Sequence, residues 1–342
     1  MVLDFGTEAV KVLLQGRRFL KYFDDYDYPG ALFRTIELVF SGFEKKPEQV
    51  LLSLPPNVLK ARIVSQVFKR KALQKVISKK EEKEIEDAVL QRAKKETAHN
   101  FSQVSGILPE HIRFVSLRIL DRGVKIDGYE VPRLEGYDGK ILEFSVLAVF
   151  LPGSSTEIER ILRQKTADFK IVHTAEGLMK LIKDYPDGIF LDVGGQTQIF
   201  LARGRKLEVA GDLGFGGKIF SETISERLGL REKDARLFKE RYSNKELSHE
   251  SSSKIKEMFY FPVRVWFENL KAKLKETQGG LLFPSNIFLF GGGCQLPEIK
   301  EILETGKWGN IAFFDAKPKV KILNDPQFLT SLLLKSYAQK SY

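Results

Sequence analysis

Glycine-bearing turns at three places in the chain carry the residue types that handle phosphate. Asp4-Phe5-Gly6-Thr7 offers backbone N–H groups left open by Gly6, which has no side chain, and Thr7 adds a hydroxyl. Lys11, on the next strand, can point its ammonium at the same phosphates. Asp192-Val193-Gly194-Gly195-Gln196-Thr197 repeats the offer later in the chain. Asp4 and Asp192 are each placed to hold a hydrated Mg2+ through water, because a hard cation on phosphates takes oxygen ligands and keeps several waters. Gly291-Gly292-Gly293 comes after an apolar strand and can seat the nucleoside end of a nucleotide. Taken singly, each segment is an ordinary hairpin turn or loop, and their order along the chain is what gives them weight. No Walker loop, dinucleotide fingerprint or Cys/His metal spacing competes.

The elements that must position these turns are duplicated. Sliding the chain on itself by 188 residues aligns Leu3-Asp4-Phe5-Gly6 with Leu191-Asp192-Val193-Gly194, Leu13 with Leu201, and Gly16-Arg17 with Gly204-Arg205. Both copies read as a strand, an acidic-glycine turn, a second strand and a Gly-Arg turn into a third. Between them, Gln49–Leu54 is a strand closed by Pro55-Pro56, and Ser78-Lys79-Lys80-Glu81 is a capping box opening a helix to about His99. His111–Leu120, Val124–Tyr129 and Ile141–Phe150 read as strands of a separate α+β unit. Ser155–Gln164 and the stretch ending at Asp184 read as helices, with a strand at Phe169–His173 between them. Gly211–Gly217 runs into a helix at Lys218–Leu228. Residues 231–276 are helical and charged, with Pro262 expected to kink or divide the last segment. Ile287–Phe290 is a strand ahead of the three glycines, and a helix lies beyond them around Glu298–Leu303.

The chain has 342 residues, a formal net charge of +10 and a single cysteine, Cys294, so a secreted disulfide scaffold is excluded. The first residues are acidic and glycine-interrupted, unlike a signal peptide, and no apolar run approaches the ~20 residues that span a bilayer. The expectation is a soluble, cytoplasmic protein. Residues 1–60 and 152–225 are each neutral, whereas 61–151 and 226–284 each carry +4. The excess therefore lies away from the phosphate turns. It points to protein partners such as an acidic peptide rather than to nucleic acid, with charge at Lys233 and Lys239 contributing to the peptide's capture. His99, His111, His173 and His249 are scattered singly, and Cys294 reads as a small packing residue. Lys69-Arg70-Lys71 reads as a solvated run before a helix.

The order of these motifs resembles the actin-like ATPase superfamily, and within it the chain is similar to the FtsA family of bacterial cell-division proteins. Asp4–Thr7 with Lys11 resembles its first phosphate motif, and Leu191–Thr197 the second. Leu213-Gly214-Phe215-Gly216-Gly217 resembles a glycine pair at a second-lobe helix entrance, and Phe290–Pro297 the adenosine motif. Ile126–Val131 and Gly136–Glu143 resemble the inserted SHS2 module of that family, and Asp325-Pro326-Gln327-Phe328 its closing segment. The resemblance implies an α/β, two-lobed actin-like fold, duplicated on a ribonuclease H-like unit, with an inserted α+β SHS2 subdomain. The implied division is 1–60 with 152–187 for the first lobe, 61–151 for the insert, 188–225 with 285–342 for the second lobe, and 226–284 for a small helical subdomain. ATP and Mg2+ would lie between the lobes, held by Asp4, Gly6, Thr7, Lys11, Asp192, Gly194, Gly195, Thr197, Gly216, Gly217, Lys239, Gly291, Gly292 and Gly293.

Three departures from the family's pattern stand out. Gln198 occupies the place of a second acid after the second phosphate motif. Arg236 stands where Ala-Glu-x-x-Lys would supply a carboxylate near the ribose, and the chain ends at Lys340-Ser341-Tyr342 without an amphipathic tail.

The function implied by the resemblance is that of a divisome adaptor that binds ATP, hydrolyses it slowly at most, and binds the C-terminal tail of FtsZ through residues 226–284. It would self-associate through the insert and contact the membrane indirectly at its cytoplasmic face. The alternative keeps the fold and resembles the PilM family of type IV pilus assembly, which carries a related insert and no membrane tail. A small-molecule kinase of the same superfamily is a third reading, with Asp192 the candidate base. No sugar-binding cluster supports it.

Overall fold

A computed structural model describes residues 1–14, 16–23, 30–41, 47–71, 75–153, 156–166, 168–277 and 282–338. In chain order the elements begin with β1 (Val2–Phe5), β2 (Ala9–Leu14), β3 (Arg17–Tyr22), α1 (Gly30–Ser41) and β4 (Gln49–Ser53). They continue with β5 (Lys60–Lys69), α2 (Lys79–Ser105), β6 (Ile112–Ile126), β7 (Tyr129–Glu130) and β8 (Ile141–Pro152). Next come α3 (Thr156–Lys165), β9 (Asp168–Ile171), α4 (Thr174–Asp184), β10 (Gly188–Val193), β11 (Thr197–Arg203), β12 (Lys206–Leu213) and α5 (Gly217–Leu228). The chain closes with α6 (Glu232–Ser243), α7 (His249–Thr277), β13 (Asn286–Phe290), α8 (Pro297–Thr305), β14 (Lys319–Ile322) and α9 (Leu329–Ala338). The terminal Lys340-Ser341-Tyr342 and Ser155, both singled out in the sequence, lie outside the described residues.

Two five-stranded sheets repeat one topology. Their orders are β3-β2-β1-β4-β9 and β12-β11-β10-β13-β14, with an antiparallel meander on one side and parallel strands on the other. The repeat is real in topology but not in register. Asp4 faces Lys11 across the first hairpin, whereas Asp192 faces Gln198, because the second turn is one residue shorter. The ungapped match beyond the first strand is therefore displaced: Gln198, not Ile199, is the counterpart of Lys11.

The third sheet, β5-β8-β6-β7, is antiparallel and covered on one face by α2. Ile85, Val89 and Ala93 of that helix pack on Val124, Phe144 and Val146. Ser78 caps the helix through the Glu81 N–H (3.2 Å), but the reciprocal half of the capping box is absent. The Glu81 carboxylate instead takes both Nε and Nη2 of buried Arg70 at 2.6 and 2.9 Å. Arg70 is thus a structural ion-pair partner rather than a solvated cation. The two strands expected at 111–129 form one strand, β6, because the Arg122-Gly123 interruption is absorbed as a bulge, with Arg122 at φ 61°.

Helix α7 runs unbroken through Pro262. An interior proline costs a helix about 3 kcal/mol. Here Phe259, Val263, Trp266, Phe267, Leu270 and Leu274 are all buried on one side of the helix, and their packing outweighs that cost.

The largest core is shared. It joins Leu3, Val10 and Leu52 of the first sheet to Phe190, Phe200, Phe288 and Phe290 of the second, and takes Leu147, Val149 and Leu151 from the insert. The insert is also pinned to the second lobe, where Asp212 of β12 pairs with Lys60 (2.8 Å) and Arg62 (3.4 Å) of β5. Among the described residues no helix is long and apolar enough to cross a membrane.

Candidate functional site

The two hairpin turns meet at the mouth between the lobes. A Cβ built on Gly195 would come within 2.8 Å of the Thr7 Cβ, so only glycine lets the turns approach this closely. Beside the contact lies a cleft of about 380 Å³ lined by Gly6, Thr7, Lys11, Gly194, Gly195, Gly217, Lys239, Gly292 and Gly293. The turn at Gly291 has φ +84°, and a side chain there would strike the Asp192 carboxylate at 2.4 Å. Gly292 has nothing within 4 Å of where its Cβ would stand, which leaves its face of the cleft open.

Charge is organised around Lys11. Its ammonium lies 3.4 Å from Asp4 and interacts electrostatically with Asp192 as well. Burial opposes that charge, but the two acids outweigh it and hold the Lys11 pKa above its usual value. Burial raises the Asp192 carboxyl despite the pull of Lys11. Thr330 donates to Asp192 at 2.8 Å and Ser331 donates to Asp4 at 3.2 Å, so two consecutive hydroxyls at the start of α9 hold one acid from each lobe. Neither acid lines the cleft itself. Among the described residues no group of three His, Cys, Asp or Glu could hold a metal directly.

Other predicted residues play different parts. Thr197 is fully buried and accepts the Trp266 indole N–H at 3.0 Å, so the structure places it in the second-lobe core and not in the cleft. Gly216 is wedged against Gly195 and Gln196, and the Gly217 N–H donates to the Gly194 carbonyl at 2.7 Å. These glycines seat α5 against the second turn, and the Gly217 amide is spent on that contact. Lys239 is 7% exposed; it donates to the Gly217 carbonyl at 2.8 Å and lies 3.5 Å from Glu8. It is a cleft residue rather than a surface cation, which corrects its expected part in capturing an acidic peptide.

The departures also acquire reasons. Arg236 crosses to the first lobe, where its guanidinium lies 4.3 Å over the Tyr22 ring and donates to the Phe23 carbonyl at 3.3 Å. Gln198 meets the ring of His173 at 3.1 Å. His173 caps α4 by accepting the Ala175 N–H at Nδ1, which puts its proton on Nε2, the ring atom that faces the Gln198 side-chain amide. Burial pushes the His173 pKa down to about 3, so the ring is neutral. An acid at position 198 would face a neutral ring.

Residues that the sequence did not single out are Glu8, Tyr22, Ser221, Thr330 and Ser331. Glu8 accepts from Ser221 at 3.3 Å and so ties the first turn to α5. Its position directly after Thr7 was the available signal; the others act through partners far away in the chain.

The group that the resemblance implies, a nucleoside triphosphate with magnesium, suits this donor set. Among the described residues the buried Thr7 hydroxyl has no hydrogen-bond partner, two ammoniums line the cleft, and the glycines leave backbone accessible. Asp4 and Asp192 suit a cation held through its water shell.

Two grooves lie elsewhere. One, of about 730 Å³, runs between Arg113–Leu117 of β6 and Asp168–Ile171 of β9. Strand β9 is an outer strand of its sheet, and β7 pairs with β6 only at Lys125 and Ile126, so both sides present strand edges. The other, of about 970 Å³, lies between α7 and α8 and mixes Lys256, Arg264, Lys271 and Lys307 with Glu257, Glu268, Glu298 and Glu301.

No protein-family model matches the chain, and no curated protein matches it. Solved structures do. The chain is similar to one in the PilM-PilN type IV pilus biogenesis complex at 18% identity, with 99% of this chain and 98% of that chain covered and a TM-score of 0.64. It is also similar to the ethanolamine utilization protein EutJ from Carboxydothermus hydrogenoformans (13% identity, 98% and 88% covered, TM-score 0.46). A third likeness is to the apo psk41 ParM protein (13% identity, 99% and 96% covered, TM-score 0.40). With the repeated β-sheet order, the superposition on the pilus-complex chain across both lobes and the insert shows that this chain has the two-lobed actin-like ATPase fold.

Proposed function

We propose that the chain is a nucleotide-binding assembly adaptor of the PilM kind, which takes ATP with Mg2+ in the interlobe cleft and captures an extended peptide of a partner in the β6–β9 groove. The observation that carries this reading is the pair of strand edges facing one groove. A strand edge offers unpaired N–H and C=O groups, and an extended peptide satisfies them by adding a strand. The neighbour in the pilus complex assembles with PilN, which supports this choice among functions of the fold. Isothermal titration should show ATP binding that depends on Mg2+. Anisotropy with labelled peptides should show capture of a cytoplasmic peptide from a pilus-assembly protein in preference to an FtsZ C-terminal tail peptide. The opposite preference would overturn the reading.

The FtsA-like reading is the second, favoured by the α7–α8 groove and its rim aromatic Tyr260, which is 65% exposed. There the FtsZ tail would dock on α7, copies would associate through the insert viewed as an SHS2 module, and membrane contact would be indirect. The groove's balanced charge does not make it the cationic surface that an acidic tail would call for. Loss of tail binding in Tyr260→Ala, with pilus peptide unbound, is the result that would favour this reading.

A further inference from the structure

Helix α9 contacts the two acids behind the cleft at one end and lines the groove at the other. Its first turn holds the cleft acids through Thr330 and Ser331, which are 3% and 0% exposed. Seven residues on, about 10 Å along the axis at 1.5 Å per residue, Tyr337 lines the β6–β9 groove. The Arg118 guanidinium of β6 lies 5.4 Å from the Tyr337 ring centre, the Lys170 ammonium of β9 lies 5.0 Å from it, and the Tyr337 hydroxyl donates to Glu176 of α4 at 3.3 Å. Among the described residues the buried Arg118 Nε has no hydrogen-bond partner.

Between the two ends the helix has no slack. Gly177 of α4 lies so close that any Cβ on it would come within 3.0 Å of Leu333, and Leu334 is fully buried against the first sheet. Tight packing of this kind passes a displacement on rather than absorbing it.

We propose that α9 is a rigid link through which the state of the cleft acids and the occupancy of the groove bias each other. The proposal rests on the reading of both sites given above. Thr330 and Ser331 each bond the Oδ2 of one acid, so a cation's water shell that draws on those oxygens competes with the two hydroxyls and weakens their bonds. Loosening those two bonds frees the start of α9, and with Leu333 wedged on Gly177 the movement reaches Tyr337 and the groove wall. By linkage, whatever fixes Tyr337 must change the cleft's affinity by the same factor.

The test uses the full chain with ATP and Mg2+ as the probe. In the wild type, adding ATP with Mg2+ should change amide hydrogen exchange at Arg113–Leu117 and Asp168–Ile171, while the double variant Thr330→Val, Ser331→Ala should lose that response. Tyr337→Ala, remote from the cleft, should shift the dissociation constant for ATP with Mg2+ by about 5-fold or more, and Tyr337→Phe, which keeps the ring, by less. Wild-type binding with no exchange response in the groove, together with unchanged affinity in Tyr337→Ala, would overturn the link while leaving the cleft reading intact. Absence of wild-type binding would overturn the cleft reading and the link with it. The wild-type exchange measurement needs no substitution, so a misfolded variant does not decide the matter.

Discussion

Thr7 shows the conflict between stability and use at single-residue scale. Among the described residues its buried hydroxyl is unpaired, so it lowers stability, and a ligand entering the cleft would give it a partner. Thr7→Val keeps the shape and removes the orphan oxygen. It should raise the unfolding free energy by about 1 kcal/mol in a denaturant titration, and weaken ATP binding in the same preparation. Equal or lower stability would mean that the hydroxyl is not an uncompensated group. His173 makes a different prediction, one about pH. The folded ring stays neutral down to about pH 3, whereas the unfolded imidazole takes a proton below its ordinary value of 6.5. The stability that depends on neutral His173 is thus complete above pH 6.5 and is lost as pH falls toward 3, at about 1.4 kcal/mol per pH unit, or roughly 2 kcal/mol by pH 5. His173→Asn keeps a capping side chain without the titration. Its stability between pH 7 and 5 should be flatter than that of the wild type, and parallel curves would rule the linkage out.

At the scale of elements, helix α6 acts across the cleft as well as within its own lobe, where Ala235 and Tyr242 join the core. Arg236, Lys239 and Glu240 share one helical face, and they reach Tyr22 and Phe23, Glu8, and the Tyr22 hydroxyl respectively. Arg236→Ala should remove a buried cation–π contact and a lobe-to-lobe hydrogen bond, costing about 1–3 kcal/mol. Limited proteolysis should detect faster cutting of the hairpin formed by β2 and β3; an unchanged cutting rate and unchanged melting would show that α6 does not clasp the lobes. None of this clasp was legible in the sequence, where Arg236 read as a lost ribose contact. The hairpin turns, Lys11, the glycine face of the cleft and the helix after Ser78 were legible, because turn chemistry, caps and apolar periodicity are local. The register of the second hairpin was not, since one residue fewer in its turn is invisible to an ungapped comparison. The continuity of α7 through Pro262 depended on Trp266 and Phe259 packing against distant strands. Likewise Thr330 and Ser331 are two unremarkable hydroxyls until the fold carries them to acids 138 and 327 residues away.

On the scale of the whole molecule, two kinds of contact join the sheets of the chain. The shared core is non-directional, so it resists separation but permits sliding. Direction comes from the Asp212 junction, the ion-pair bridge between β5 of the insert and β12 of the second lobe. Burial would raise the Asp212 carboxyl, but Lys60 and Arg62 outweigh it and hold its pKa below the ordinary aspartate value. The carboxylate therefore contributes stability at and above the ordinary range, and that contribution disappears in acid as the pH passes below it. Asp212→Asn leaves Lys60, whose side chain is 14% exposed, without its counter-charge; the cost of removing one partner of a partly buried pair is about 1–3 kcal/mol after allowing for solvent screening. Replacing Asp212 together with the more buried of its cations, as Asp212→Leu with Lys60→Met, leaves only Arg62, which is 35% exposed and keeps its bond to the Ala61 carbonyl, and should recover much of the loss. If the junction orients the insert rather than merely adding stability, both variants should show faster hydrogen exchange along β5 and β12, even where the double variant melts like the wild type. Recovery of melting together with wild-type exchange would mean that the shared core already fixes the insert's orientation, leaving Asp212 only a charge-balancing part.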